Sequence, residues 1–276
     1  MERLRIAIQG IKGSNHHRVA SEYFEGQIDL VECLSFHNLV VVLLDGQADK
    51  GVMAIENSIA GSIIPNYALV CEKKLHIIGE HYLNIHHNLM ALPGQRLEDI
   101  REVHSHPMAL LQCREYLKGQ PQIRMVEDVD TAETARRIRE EQLKGIAAIA
   151  PALAAERYGL DILARDIQTI KNNATRFIIL KKVNKEWPKE VINKASMRFL
   201  TDHKRGSLAT VLNVMSDCNL NLTKIQSLPV IETPWKYSFF VDVTFDTYDH
   251  FAKAKSLLAL LTEDFQLLGE YKNARL

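Results

Sequence analysis

Through roughly its first 180 residues the chain alternates short apolar runs with helical stretches, and the runs stop on clusters of small polar residues. Leu4-Arg5-Ile6-Ala7-Ile8-Gln9 has the period of a strand, with Leu4, Ile6 and Ile8 on one face. The turn Gly10-Ile11-Lys12-Gly13 follows, and Ser14 or Asn15 can cap a helix running to about Phe24, whose N-terminus offers N–H groups to an anion. A second strand near Ile28 to Leu34 and a helix capped by Ser35 lead to Val52-Met53-Ala54-Ile55, which ends on Glu56-Asn57-Ser58-Ile59-Ala60-Gly61. Ser105-His106-Pro107 opens another helix, with proline at its first position; Leu110, Cys113 and Leu117 form its buried stripe and leave Gln112 off it. Asp130 or Thr131 caps the next, Ala147 to Ala150 is a short buried strand, and the helix from Pro151 to Tyr158 is closed by Gly159. This alternation dictates an α/β architecture with a mainly parallel sheet, in which ligands bind at the strand ends.

One strand end carries the chemistry most plainly. Asn172-Asn173-Ala174-Thr175-Arg176 places a hydroxyl and a guanidinium at the mouth of the apolar strand Phe177-Ile178-Ile179-Leu180. Lys plus Arg equals Asp plus Glu at 34 each, so no charge excess favours nucleic acid or an anionic membrane. Four cysteines, at 33, 71, 113 and 218, form no CxxC pair and no metal-ligand spacing, and are read as reduced and cytosolic. The start Met1-Glu2-Arg3-Leu4-Arg5 shows no signal segment and no apolar run is long enough to span a bilayer, so a cytoplasmic protein is expected.

The order of elements changes after the charged stretch from Lys181 to Lys194. A strand at Met197 to Leu200, a helix through Leu212 to about Cys218, strands near Leu222 to Ile225 and Tyr237 to Phe245, a helix from Asp249 and a strand around Phe265 to Tyr271 read as βαββαβ, a ferredoxin-like unit. Its small sheet is expected to expose edges and an apolar face, which a second copy would bury.

With these residues in view the chain resembles prephenate dehydratase over nearly its whole length. The family's Thr-Arg-Phe motif is met by Thr175-Arg176-Phe177, its Glu-Asn-Ser motif by Glu56-Asn57-Ser58, its Ser-His-Pro and Gln-Cys segment by Ser105-His106-Pro107 and Gln112-Cys113, and its Thr-Ala segment by Thr131-Ala132. The resemblance implies a catalytic domain over residues 1–183, made of two lobes like type-2 periplasmic binding proteins. A linker over 184–194 and an ACT regulatory domain over 195–276 follow. On this division a chain ended after about Lys185 is expected to stay folded and active.

The implied reaction is the decarboxylating dehydration of prephenate to phenylpyruvate in L-phenylalanine biosynthesis, with no metal or nucleotide cofactor. Thr175 is the expected hydrogen-bond donor to the departing hydroxyl, Arg176 the carboxylate clamp, and Glu56, when protonated, the completion of a relay. Ser14, Asn57, Ser58, Ser105, Gln112, Thr131 and Phe177 are the implied substrate contacts, with the helix N-termini near Ser14 and Thr131 holding a second carboxylate. One departure is Gly10-Ile11-Lys12-Gly13-Ser14-Asn15-His16, which lacks the family's aromatic residue and second serine after the first. A second lies in the ACT effector motifs. Gly206-Ser207-Leu208 stands for Gly-Ala-Leu, and Gln226-Ser227-Leu228-Pro229 for Glu-Ser-Arg-Pro. Phenylalanine held near these segments and Asn219, in a homodimer or tetramer, is the implied inhibitor. Arogenate dehydratase and a non-catalytic two-lobe sensor with an ACT module are the alternative readings.

Overall fold

The computed structural model describes residues 3–25, 27–183, 187–201, 204–230 and 237–275. The chain begins β1 (Leu4–Gln9), α1 (Asn15–Tyr23), β2 (Ile28–Cys33), α2 (Phe36–Leu44), β3 (Lys50–Asn57), a two-residue β4 (Gly61–Ser62), α3 (Ile64–Glu72) and β5 (His76–Asn84). It crosses to β6 (Asn88–Ala91), β7 (Glu102–Ser105), α4 (Pro107–Gln112), α5 (Arg114–Lys118), β8 (Arg124–Glu127), α6 (Thr131–Glu140), β9 (Ile146–Ala150), α7 (Ala152–Tyr158) and β10 (Asp161–Ala164), then returns as β11 (Ala174–Lys181).

Two sheets result. The first has the order β2-β1-β3-β11-β5 and the second β10-β6-β9-β7-β8. Both are α/β sheets, but mixed rather than mainly parallel. β1 runs parallel to β2 and β3, and β7 to β8 and β9, whereas β6 is antiparallel to β9 and β10. Because the chain goes out after β5 and comes back before β11, two segments connect the sheets, as in a two-lobed binding fold. Continuous apolar runs mark the central strands: Val52 to Ile55 of β3 and Phe177 to Leu180 of β11 are buried, as strands covered on both faces must be. No helix among the described residues is long and apolar enough to cross a membrane.

The remaining elements are β12 (Lys194–Leu200), α8 (Ser207–Asp217), β13 (Asn221–Pro229), β14 (Tyr237–Thr244), α9 (Tyr248–Leu261) and β15 (Glu263–Tyr271). They form the expected βαββαβ unit, with an antiparallel sheet in the order β13-β14-β12-β15. Met197, Phe199, Val241 and Val243 meet Val211 and Met215 of α8 and Phe251 and Leu258 of α9 on one face.

The other face is not left for a second copy. Compact units comprise 1–62 with 82–177, and 63–81 with 178–276, so α3 and the start of β5 belong with the small sheet. The Tyr67 and Phe240 rings meet edge to face with centroids 4.6 Å apart, and the Trp187 indole donates to the Ile78 carbonyl at 3.1 Å. Gly269 is required there, because any Cβ would come within 2.0 Å of the Ile77 oxygen. Lys194 donates to both oxygens of Glu80 at 2.8 and 3.0 Å, with both side chains buried. The compact units therefore do not divide at residue 183, and part of the 184–194 linker lies outside the described residues. Residues 187–194 belong with the small sheet: Lys189–Val191 form a short 3₁₀ turn and Lys194 starts β12.

Candidate active site

The end of β3 and the start of β11 lie side by side, joined by the Ser58 N–H to the Ala174 carbonyl at 2.8 Å and the Ala174 N–H to the Ser58 hydroxyl at 3.0 Å. That pairing brings four expected residues together. Arg176 Nη1 lies 3.4 Å from Glu56 Oε1, and Asn57 Nδ2 donates to Thr175 Oγ1 at 2.9 Å. Successive strand side chains leave opposite faces, so Thr175 and Arg176 are held by different neighbours.

The orientation of Asn57 follows from its backbone partners. Its Oδ1 accepts from the N–H groups of Ile59 and Ala60 at 2.9 and 2.8 Å, a turn that commits the amide nitrogen to the other side. There Nδ2 also donates to Asn173 Oδ1 at 2.7 Å. Thr175 Oγ1 thus accepts a hydrogen bond from Asn57, and among the described residues its own O–H remains to be donated. Gln112 reaches the same cluster: its Oε1 accepts from Asn173 Nδ2 at 2.9 Å and faces His87 Nε2 at 2.9 Å. Asn173 and His87 are buried at 0% and 6% exposure, which makes these bonds obligatory.

Other expected contacts sit elsewhere. Ser105 is fully buried and donates to the Ile149 carbonyl at 2.6 Å, so it fastens β7 within the second sheet. Phe177 is a core residue, its ring edge-on to His16 at 5.0 Å. Ser14 caps α1 by accepting from the His17 N–H at 3.2 Å. At α6 the cap is Asp130, accepting from Ala132 and Glu133 at 2.9 and 3.0 Å, so the anion position beside Thr131 is filled by the chain's own carboxylate. Burial raises the Asp130 pKa above the usual carboxylate range. Gly10, at φ +85°, lets the first turn approach this group, since a Cβ there would stand 3.2 Å from Asp130 Oδ2.

The effector positions lie in the second compact unit. Gly206, in the left-handed region at φ 85°, precedes α8, Ser207 donates to the Lys204 carbonyl at 3.1 Å, and Leu208 packs on the core. Asn219 is also left-handed, at φ 57°. On β13, Gln226 donates to the Ser227 carbonyl at 3.0 Å. Leu228 and Pro229 line a cavity of about 580 Å³ with Arg198 and Asp264, which pair at 2.5 Å.

His16 stands where the family pattern has its second serine. It is an interior ring between Phe36 and Phe177, and burial lowers its pKa to about 3. The folded chain therefore excludes a proton that the unfolded chain takes up below its ordinary value of 6.5. Stability conferred by the neutral ring is complete above that value and falls as pH drops toward 3, by about 2 kcal/mol at pH 5. His16→Phe is expected to remove this share of the acid sensitivity. Denaturant unfolding at pH 7.5 and pH 5 checks it; equal losses in both proteins would refute the assignment.

The sequence model of the prephenate dehydratase family matches residues 6–185. Arogenate dehydratase 2 of Petunia hybrida is 39% identical over 228 residues, which is 83% of this chain and 57% of that protein; the chain thus spans little more than half of that relative's length. Among solved structures, prephenate dehydratase from Arthrobacter aurescens in complex with L-Phe is 25% identical with a TM-score of 0.89, covering 99% of this chain and 91% of that one. GqqA, described as a novel type of quorum quenching acylase, is 30% identical with a TM-score of 0.89 and covers 98% of both chains.

Proposed function

This chain belongs to the prephenate dehydratase family, and we propose that it catalyses the conversion of prephenate to phenylpyruvate, carbon dioxide and water. The observation that carries the proposal is the Asn57 amide holding Thr175 as an acceptor, which leaves the threonine O–H to donate at the start of β11. In the reaction the ring carboxylate leaves as carbon dioxide, its bonding pair completes the aromatic ring, and the opposite hydroxyl departs with the electrons of its C–O bond. Aromatisation drives the step, and the protein has to stabilise charge on the departing oxygen. Thr175 does so by a hydrogen bond that strengthens as the C–O bond breaks, polarised by the bond it receives from Asn57. Arg176, paired with Glu56, supplies positive charge opposite the substrate carboxylates.

Arogenate, with an amino group for the keto group, would undergo the same step to give phenylalanine, and the Petunia relative's name supports it as a substrate. The likeness to GqqA supports amide hydrolysis as a second reading. Incubating the purified chain with prephenate and with arogenate, and measuring phenylpyruvate, phenylalanine and carbon dioxide, tests the proposal. Product with carbon dioxide from prephenate is the expected result; turnover of neither substrate overturns it, and deacylation of an N-acyl amide in that case assigns the second reading.

We further propose that the βαββαβ unit is an ACT module binding phenylalanine at the interface of a homodimer. Its sheet order and its unpaired edge strands β13 and β15 support that reading. Arg198 beside Asp264 also offers a cation and an anion to the two ends of a zwitterion, next to the apolar Leu228.

A further inference from the structure

We propose that His87 is a positioning residue for Thr175, acting through a relay of three side-chain amides, Gln112, Asn173 and Asn57. The proposal rests on the reading of Thr175 as the donor. Its strength is that every amide in the relay has only one permissible orientation. Asn57 is fixed by the Ile59 and Ala60 N–H groups, so its nitrogen faces Asn173, and the Asn173 atom it meets has to be the oxygen. The Asn173 nitrogen then faces Gln112, whose contacting atom must also be an oxygen. That oxygen already accepts one hydrogen bond, and at His87 Nε2 only a second donor fits.

His87 is thereby held as the Nε2–H tautomer, with its lone pair on Nδ1. The surroundings of Nδ1 agree, for among the described residues it has no hydrogen-bond partner. A bare acceptor is the less costly group to bury unmade. The backbone that carries the ring is fixed, because the His87 N–H donates to Gln168 Oε1 at 3.0 Å and its carbonyl accepts from the Ile167 N–H at 2.8 Å. The same segment clamps the other end of the link, the Thr169 N–H donating to the Gln112 carbonyl at 2.9 Å.

The relay ties together both connections between the sheets, since His87 lies in the outgoing one and Asn173 in the returning one, where its carbonyl accepts from Ile85 at 2.7 Å. Without the His87 donor only the bond from Asn173 holds the Gln112 amide against rotation. A turned Gln112 would set its nitrogen against the Asn173 nitrogen, and Asn173 could answer only by setting its own nitrogen against that of the immovable Asn57. The relay then breaks at Asn57, the contact that aims the Thr175 proton.

The test compares three His87 variants with Thr175→Val in the full chain. Glutamine can place an amide nitrogen near the site of Nε2 and donate to Gln112; leucine cannot donate, and asparagine is too short to reach. His87→Leu and His87→Asn are expected to lower kcat roughly 10- to 100-fold with KM within about threefold, the size of effect that a misplacement near 1 Å produces. His87→Gln is expected to recover kcat to within a few fold. Thermal unfolding of each variant separates misplacement from misfolding, and His87→Asn carries the comparison where His87→Leu lowers the folded fraction. The proposal is overturned if the leucine and asparagine variants keep kcat, or if glutamine is as impaired as leucine at equal stability. If Thr175→Val keeps kcat, the donor reading fails instead, so the two failures are distinct.

Discussion

Thr175→Val is expected to lower turnover roughly 10²- to 10⁴-fold with KM little changed and the fold intact. Valine keeps the β-branched shape that suits a buried strand and removes only the hydroxyl. The neighbouring amide is not stranded, because Asn57 Nδ2 still has the Asn173 oxygen at 2.7 Å and the Ala174 carbonyl at 3.3 Å. The stability cost is then about 1 kcal/mol, the net worth of one hydrogen bond, and the kinetic loss reports chemistry. Arg176→Ala is expected to fail differently. Its guanidinium is 2% exposed and pairs with Glu56, so truncation opens a cavity, leaves a carboxylate without that cation and weakens substrate binding together with turnover. Steady-state kinetics on both variants, with unfolding curves, separates the two roles. Near-wild-type turnover by Thr175→Val would show that the donor lies elsewhere.

What the sequence made legible, and what it did not, follows from the range over which each signal acts. The caps at Ser14, Ser35 and Asp130 and the left-handed Gly159 are local, and each appears where residue type alone places it. The βαββαβ order was legible because its strands and helices have different periods. β5 and β6 were not, since His76 to Ala91 mixes apolar residues with histidines and asparagine in no period, and with them went the first connection between the sheets. His87 was hidden for that reason. Asn173 was visible beside Asn172, but only the pairing of β3 with β11 distinguishes the two. Ser105 and Phe177 show the opposite limit: a motif names a residue without saying which way its side chain leaves the strand, and both turn inward.

A chain ended at Val183 is expected to lose cooperative folding, in contrast to what the division of the sequence into domains suggests. Residues 63–81 belong to the same compact unit as 178–276, and truncation strips them of their partners. Tyr67, fully buried, loses Phe240 and is exposed; an aromatic side chain buries about 150–250 Å², worth roughly 4–6 kcal/mol at 25 cal/mol per Å². Glu80, 2% exposed, loses Lys194, and removing one partner of a buried pair costs about 3–5 kcal/mol wherever the charge stays buried. Glu80 also loses the Ala274 N–H, which donates to its Oε1 at 3.2 Å. Together the losses of Phe240 and Lys194, about 7–11 kcal/mol, fall within the whole stability of a domain, about 5–15 kcal/mol, so they leave little for the first sheet to stand on. Circular dichroism, denaturant titration and light scattering of the 1–183 chain check this. A soluble, cooperatively unfolding monomer with full activity would show that α3 and β5 hold their places without the small sheet.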